Sequence, residues 1–355
     1  ALRPSGRKLL AYSHAPAAFG PYSFGGNGPW LAPVLDQEPD IVWRAVRTGD
    51  PAALVLPAMD CDQPFPTDVS HRESRSFGDA ASSGASLLLS GWGGDEAASY
   101  GWRGVLAEAL VTGNWHYLAA ELRALGSAGA AWGALSPFLL GGRTLALVHR
   151  LTGRAPPPPG IAHLAASLLR PEHVAGHSLV QTAMPPDARR IRVSLLRGHG
   201  LTRRMEQWAL LGARHGIGVG FPLLDRRVVE FALSLPSRLF VRDGWSRRLF
   251  RDAMDGILPE ALRWKTGKED LVVEDPLYVA ALRALLTERL EGWRERGAIA
   301  DLFDLDAVSA RLASLPPAHV LARTIDTGRG DWPAVERAGS LMRAFRVMAY
   351  IDQHG

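Results

Sequence analysis

The chain has one cysteine, Cys61, among its 355 residues. No intrachain disulfide can form, and a reducing cytoplasm suits such a chain. Cys61 itself reads as a small buried residue. Nowhere do about 18 apolar residues follow one another, so there is no candidate for a membrane-spanning helix. A secretory signal pattern is absent, and the 11 histidines lack metal-ligand spacing. The GxxxxGK[ST] pattern of P-loop nucleotide-binding proteins is missing too. Neither sign of charge dominates: 40 Lys and Arg stand against 36 Asp and Glu, a net charge of +4. Much of the positive charge is Arg, some of it in pairs: Arg189-Arg190, Arg203-Arg204, Arg226-Arg227 and Arg247-Arg248. Without interleaved aromatics these read as solvated helix surface rather than a nucleic-acid groove. The chain starts at Ala1 and enters an apolar segment almost at once, the look of a chain trimmed at its N-terminus. The expectation is a cytoplasmic protein with neither nucleic acid nor membrane as partner.

What is present is an ordinary globular composition, 47% hydrophobic and 21% charged. "RKLLAYSHAP" predicts a strand, "FGPYSFGGNGPW" a glycine- and proline-rich loop, and "DQEPDIVWRAV" the start of a short helix. "PAALVLPAMD" predicts a second strand, "VSHRESRSFGDAASSG" a helix and "ASLLLSG" a third strand. Apolar strands alternating with helices suggest a parallel α/β sheet. After Tyr100 the pattern turns helical: a helix pair in "RGVLAEALVTGNWHYLAAELRALG", another helical segment at "SPFLLGGRTLALVHRLTG", and an almost wholly helical run from Leu201 to Met348. "RAPPPPG" reads as a break between helices rather than a domain linker. The expected division is an α/β nucleotide-binding half at 1–104 and a mainly helical half of the same domain at 105–355.

Chemistry is concentrated in "GASLLLSGWGGDEAASYGWRG", Gly84 to Gly104. A strand runs into Ser90-Gly91, two further glycines come next, and Asp95-Glu96 stand where a helix would start. Ligands of parallel α/β sheets bind beyond the carboxyl ends of strands, glycines allow close backbone approach, and a helix start attracts anions. Asp95 and Glu96 are hard oxygen ligands suited to Mg²⁺. A helix end alone contributes only about 0.3–1 kcal/mol toward a charged group. A triphosphate therefore needs a metal, a lysine or a second loop besides.

Three segments in order resemble the C-terminal synthetase domain of the asparagine synthase family. "LLLSGWGGDE" is similar to its LSGxGxDE segment. "RRMEQWALLGARHGIGVGFPLLDRRVVEFALSLP" is similar to its P-[FL]-L-D block and VEFAxxLP run, and "GWSRRLFRDAMDGILPEALRWKTGKEDL" to its LPxxxxxRxK element. The likeness covers about residues 8–275. Trp92, "RMEQWA" and "PLLDRRVVEFAL" resemble the branch of asparagine-synthase-like cyclases that close lasso peptides. The family's SGGxDSS pyrophosphate loop and its glutaminase domain are not in this sequence. The family often has Glu where Trp92 stands, used with the substrate in asparagine synthesis. The Glu and Arg of its GxExRxP run are here Gly218 and Gly220.

The resemblance implies an ATP-pyrophosphatase-type parallel-sheet core, an adenine nucleotide alpha-hydrolase-like fold, followed by a mostly helical half. ATP and Mg²⁺ are the implied cofactors. A side-chain carboxylate is adenylated with release of pyrophosphate, and an amine then displaces AMP. Ser90, Gly91, Gly93 and Gly94 would line the nucleotide, Tyr12 would lie near the adenine, and Asp95 would hold Mg²⁺. Lys268, with Glu96, would serve catalysis, Lys268 by neutralising charge on pyrophosphate and on the tetrahedral intermediate. Lys265 competes with Lys268 for that role. Each residue also has a plainer reading: a tight turn for the glycines, a helix cap for Asp95, a helix anchor for Glu96, a rim position for Tyr12, surface lysines for Lys265 and Lys268. Asp225 reads as the cap of the helix "RRVVEFAL". The product is a macrolactam if the substrate is a precursor peptide, with a leader-peptide-binding protein and a protease as further partners. It is asparagine if the substrate is aspartate. A third reading is a truncated or non-catalytic relative that binds only peptide or nucleotide.

Overall fold

The computed structural model describes residues 8–15, 18–19, 22–23, 28–47, 51–56, 71–139, 167–174, 185–265, 275–327 and 330–355. It is an α/β protein in which helices predominate. Its strands fall, among the described residues, into four two-stranded sheets. The chain divides into two compact units, each discontinuous: residues 1–79, 157–179 and 266–355, and residues 80–156 and 180–265.

The first unit holds strand β1 (Leu9–Ala15), the short antiparallel pair β2 (Ala18–Phe19) and β3 (Tyr22–Ser23), and β4 (Ile41–Arg47). β1 and β4 pair in parallel, Leu9 opposite Ile41 through Ala15 opposite Arg47. The helix Gly28–Gln37 lies in the crossover that such a pair requires. "DQEPDIVWRAV", expected to begin a helix, is therefore the end of one helix followed by a strand. Pro39 cannot carry the helix on, and the β-branched Ile41, Val42 and Val46 fit the pleated pairing with β1. "PAALVLPAMD", expected as a strand, starts with the helix Pro51–Val55. Proline is preorganised for the first helical position, and the two alanines after it favour a helical turn. The β2–β3 pair falls within the segment expected as loop. The expected strand at "RKLLAYSHAP" and helix at "VSHRESRSFGDAASSG" are present, as β1 and His71–Ser82.

The core of this unit is helical. The C-terminal helix Trp332–His354 turns Ala334, Ala338, Leu341, Phe345 and Met348 inward. Against them pack Leu277, Leu286, Leu290, Trp293, Ile299, Phe303, Val308, Leu312 and Leu321 from the preceding helices. Asp331 caps its start by accepting from the amide of Ala334 at 2.9 Å. Among the described residues no helix is long and apolar enough to cross a membrane.

The second unit contains β5 (Leu87–Leu89) and β6 (Gly218–Gly220), paired in parallel. It also contains the antiparallel β7 (Val241–Arg242) and β8 (Trp245–Ser246). Strands β6, β7 and β8 interrupt the run expected to be helical from Leu201. The helix pair expected after Tyr100 is Val105–Val111 and Trp115–Ala124, and Ala128–Leu139 takes up the next expected segment as far as Leu139. Helices Ala188–Arg197, His199–Arg214 and Arg226–Ser234 complete its larger elements. The β7–β8 hairpin turns on Asp243 and Gly244, both at positive φ (57° and 77°). Asp-Gly is the pair a two-residue hairpin turn of this hand favours. The buried Glu121 carboxylate accepts from both turn amides, each at 3.0 Å. Cys61, "RAPPPPG" and Lys268 lie outside the described residues.

Candidate active site

The glycine-rich turn leaves the carboxyl end of β5, and Pro222–Leu224 leaves that of β6 beside it. The amide of Ser90 continues the ladder by donating to the carbonyl of Gly220 at 2.9 Å. Ser90 is buried, and its Oγ accepts from the amide of Trp92 at 3.3 Å. From Trp92 to Ser99 the chain makes consecutive turns instead of the expected helix. The amides of Ala97 and Ser99 both donate to the carbonyl of Gly94, at 3.1 and 2.8 Å. One carbonyl taking two donors closes the chain into turns. The next helix, Val105–Val111, begins past Gly104 at φ 76°. The turn is therefore not followed directly by a helix start, which is where the sequence had suggested an anion-attracting amino terminus.

The three glycines differ. Gly91 is exposed, and a Cβ placed on it meets no atom within 4 Å. Gly93 is buried at φ 88°, and a Cβ there collides with the Leu224 side chain. On Gly94 it comes within 2.7 Å of Leu223 Cδ1 and 2.9 Å of Ser99 Oγ. Gly93 and Gly94 are thus explained by the approach of Pro222–Leu224, while Gly91 leaves room for a ligand. Gly220 has a similar account: a Cβ there falls 2.9 Å from Leu89 Cδ2, so the cross-strand Leu89, 59% exposed, occupies the room that a larger residue would use. Gly218 does not, because a Cβ there makes only ordinary contact, 3.6 Å from Leu87 Cδ1.

Asp95 is half exposed and pairs with Arg247 at 2.8 Å. Arg247 adopts φ 58°, unusual for a residue with a side chain, as the chain leaves the hairpin. Glu96 beside it is half-buried. Among the described residues no group of three or more His, Cys, Asp or Glu could hold a metal ion. Among the described residues, then, no protein-built Mg²⁺ cage includes Asp95. It suits a cation that arrives on nucleotide phosphates, for which one or two carboxylates suffice.

Beyond Arg247, Arg251 ties the chain together through backbone carbonyls. Arg251 donates from Nε to the carbonyl of Ser246 at 3.0 Å and from Nη2 to that of Lys265 at 3.1 Å, and it also bonds the carbonyl of Arg263. Burial, and then the neighbouring Arg247, push the Arg251 guanidinium below its ordinary pKa. The Trp245 and Trp264 rings meet edge to face at 5.3 Å. This pins the chain at Lys265, which is half-buried, three residues before Lys268.

Trp92, in the turn, is 40% exposed as a residue. The Arg204 guanidinium lies over it, Cζ 4.4 Å from the centroid, within the range of a cation–π contact. One helical turn on, Trp208 packs on Phe221 at 6.2 Å. Tyr12 belongs to the other unit. Its hydroxyl donates to Asp79 Oδ2 at 2.7 Å, and Arg44, its partner in the strand register, donates to the same oxygen at 2.5 Å. Sequence reasoning did not find Arg247 or Arg204. The Asp-Gly pair marks the hairpin that delivers Arg247, but its meeting with Asp95 leaves no local signature.

Asp225 is the expected cap. Its Oδ1 accepts from the amide of Arg227 at 2.9 Å and from Arg227 Nε at 3.0 Å. Arg227 holds the Asp225 carboxyl down to about 2. A carboxylate lowered in the folded state adds stability above its unfolded pKa of about 3.9 and loses it as pH falls toward 2. Asp225→Ala is therefore expected to lower the thermal midpoint at pH 7, with the difference from wild type shrinking between pH 4 and 2. Scanning calorimetry across that range checks it; a difference independent of pH would count against the charge.

A family model described as asparagine synthase matches residues 45–332. The match includes all of the second unit and reaches into the C-terminal helices of the first. No curated protein and no solved structure matches the chain.

Proposed function

This chain belongs to the asparagine synthase family, a family of ATP-dependent amide-forming ligases, and we propose that it adenylates a side-chain carboxylate of a peptide and closes it onto the peptide's own amine as a macrolactam. In this reading the parallel pairs β1–β4 and β5–β6 belong to an ATP-pyrophosphatase-type core. Ser90 and Gly91 would line the nucleotide, and Asp95 would hold the Mg²⁺ that accompanies the phosphates, the metal supplying charge neutralisation there. Arg247, the partner of Asp95, would then be free to pair with phosphate oxygen, and Lys268 would stabilise charge as the acyl-adenylate forms and breaks. The enzyme contributes positioning and charge, with no covalent intermediate.

The observation that favours a peptide over free aspartate is Trp92. The family often places there a glutamate used in asparagine synthesis. An indole is a donor only and cannot take a proton from ammonia. Partly exposed, with Arg204 over the ring, it leaves an apolar contact surface that a small diffusible amine does not use. Hydroxylamine trapping tests the reading, because acyl-adenylates yield hydroxamates. With ATP–Mg²⁺ and a peptide bearing a free amino terminus and an internal Asp or Glu, the hydroxamate and AMP are expected. Asparagine formed from aspartate and ammonium would favour the second reading, and AMP formation with neither substrate would leave only binding.

Asp95→Asn is expected to abolish pyrophosphate release while leaving the fold intact. An exposed ion pair is worth only about 0–1 kcal/mol, so the thermal midpoint should barely move. Near-normal release with an unchanged Mg²⁺ dependence would reduce Asp95 to a partner of Arg247.

A further inference from the structure

Arg192 is the largest side chain of the described residues with no exposure to solvent. It sits on helix Ala188–Arg197, where Arg189, Arg190 and Arg197 are exposed. Its guanidinium carbon lies 4.4 Å from the Phe240 ring centroid and 5.5 Å from that of Tyr100. The two rings meet edge to face at 6.1 Å. Nη1 donates to the carbonyl of Ala232 at 2.7 Å. Among the described residues Nε and Nη2 have no acceptor. The nearby carboxylate of Glu108 is engaged by the amide of Ala188 at 2.7 Å. Burial pushes the Arg192 pKa down.

A buried charge in this state is unfavourable, and apolar residues of similar volume often replace such groups without loss of stability. Its three contacts have something in common. Tyr100 closes the run of turns that starts at Trp92. Ala232 lies on the helix capped by Asp225, directly after Pro222–Leu224. Phe240 immediately precedes the hairpin that delivers Arg247. We propose that Arg192 is a positioning residue, holding the Ser90–Glu96 turn, the Pro222–Asp225 segment and Arg247 in mutual alignment from behind, and that it serves this alignment rather than stability. Two aromatic faces and a backbone carbonyl fix the planar guanidinium, which a flexible ammonium could not match. The inference rests on the reading of the turn as a nucleotide site, but its first readout does not.

The test compares Arg192→Met and Arg192→Lys with wild type. For Arg192→Met the thermal midpoint is expected to be unchanged or raised. Amide hydrogen exchange at 90–96 and 241–247 should quicken about ten-fold, with helix Trp332–His354 unaffected. Pyrophosphate release should fall up to about 10²-fold in kcat with little change in KM for ATP, as expected when reacting groups are misplaced. Arg192→Lys, which keeps the charge without the planar fork, should fall between the two. Wild-type exchange at both segments in Arg192→Met would overturn the proposal. So would failure of that variant to fold, or exchange quickened throughout the chain, since either marks a residue kept for stability. Local quickening in a protein whose wild type releases no pyrophosphate would uphold the alignment and overturn the ligase reading alone.

Discussion

Lys268→Ala is expected to lower amide formation on the order of 10²–10³-fold, the usual loss when one preorganised charge-stabilising donor is removed. ATP affinity should change far less, because the lysine acts on charge that develops as the acyl-adenylate forms and breaks. Lys265→Ala is the matched control. The backbone at Lys265 is pinned by Arg251, and the edge-to-face rings of Trp245 and Trp264 close the cluster beside it. A lysine that serves only as surface charge changes stability within about 0.5 kcal/mol and turnover hardly at all. Single-turnover amide formation under saturating ATP separates the cases. A large loss in Lys265→Ala alone would shift the role three residues toward the amino terminus. No loss in either, in an active enzyme, would remove the segment from the site.

Gly93→Ala is expected to destabilise the second unit by about 2–5 kcal/mol. The left-handed backbone at φ 88° costs an L-residue roughly 1–2 kcal/mol. A methyl driven into Leu224 adds about 1–3 kcal/mol of overpacking. That is a large part of a typical domain's stability. Gly91→Ala, one position before Trp92, should stay within about 0.5 kcal/mol, because its Cβ enters open space. It should instead weaken ATP binding, since Gly91 is the glycine of this turn left facing outward. Urea unfolding of both variants, with Leu224→Ala added to Gly93→Ala, checks the account. The double variant should recover the contact part and not the backbone part. A Gly93→Ala protein as stable as wild type would remove the packing explanation.

The local features of this molecule were legible because their causes are local. β1, β5 and the helix His71–Ser82 arise from apolar runs and turn residues within their own spans. The same holds for the Asp225 cap, where a side-chain oxygen meets an amide two residues on. β4 was not legible. The polar segment before it carries a helix break, and its strand character depends on pairing with β1, thirty-odd residues away in register. The hairpin of β7 and β8 carried a readable Asp-Gly signal, hidden by the helical pattern on both sides.

The site divides along the same line. Sequence alone placed Ser90, Gly91 and Asp95 on one turn after a strand, and the order of three motifs, matched by the family model over 45–332, pointed to the ligase family. Composition alone excluded a disulfide between two of these 355 residues, and no apolar run in them is long enough for a helical membrane span. Only the tertiary structure decided why Gly93 and Gly94 are glycines: Leu224 and Leu223, brought in beside β6, leave no room for a Cβ. It also decided that Asp95 faces Arg247, that turns rather than a helix succeed the glycines, and that Arg192 among its neighbouring arginines is the buried one. Hydrogen bonds to the next few residues and the period of apolar side chains are written along the chain. Close approach, ion pairing and burial depend on which distant segments meet, and that is settled only when the whole core packs.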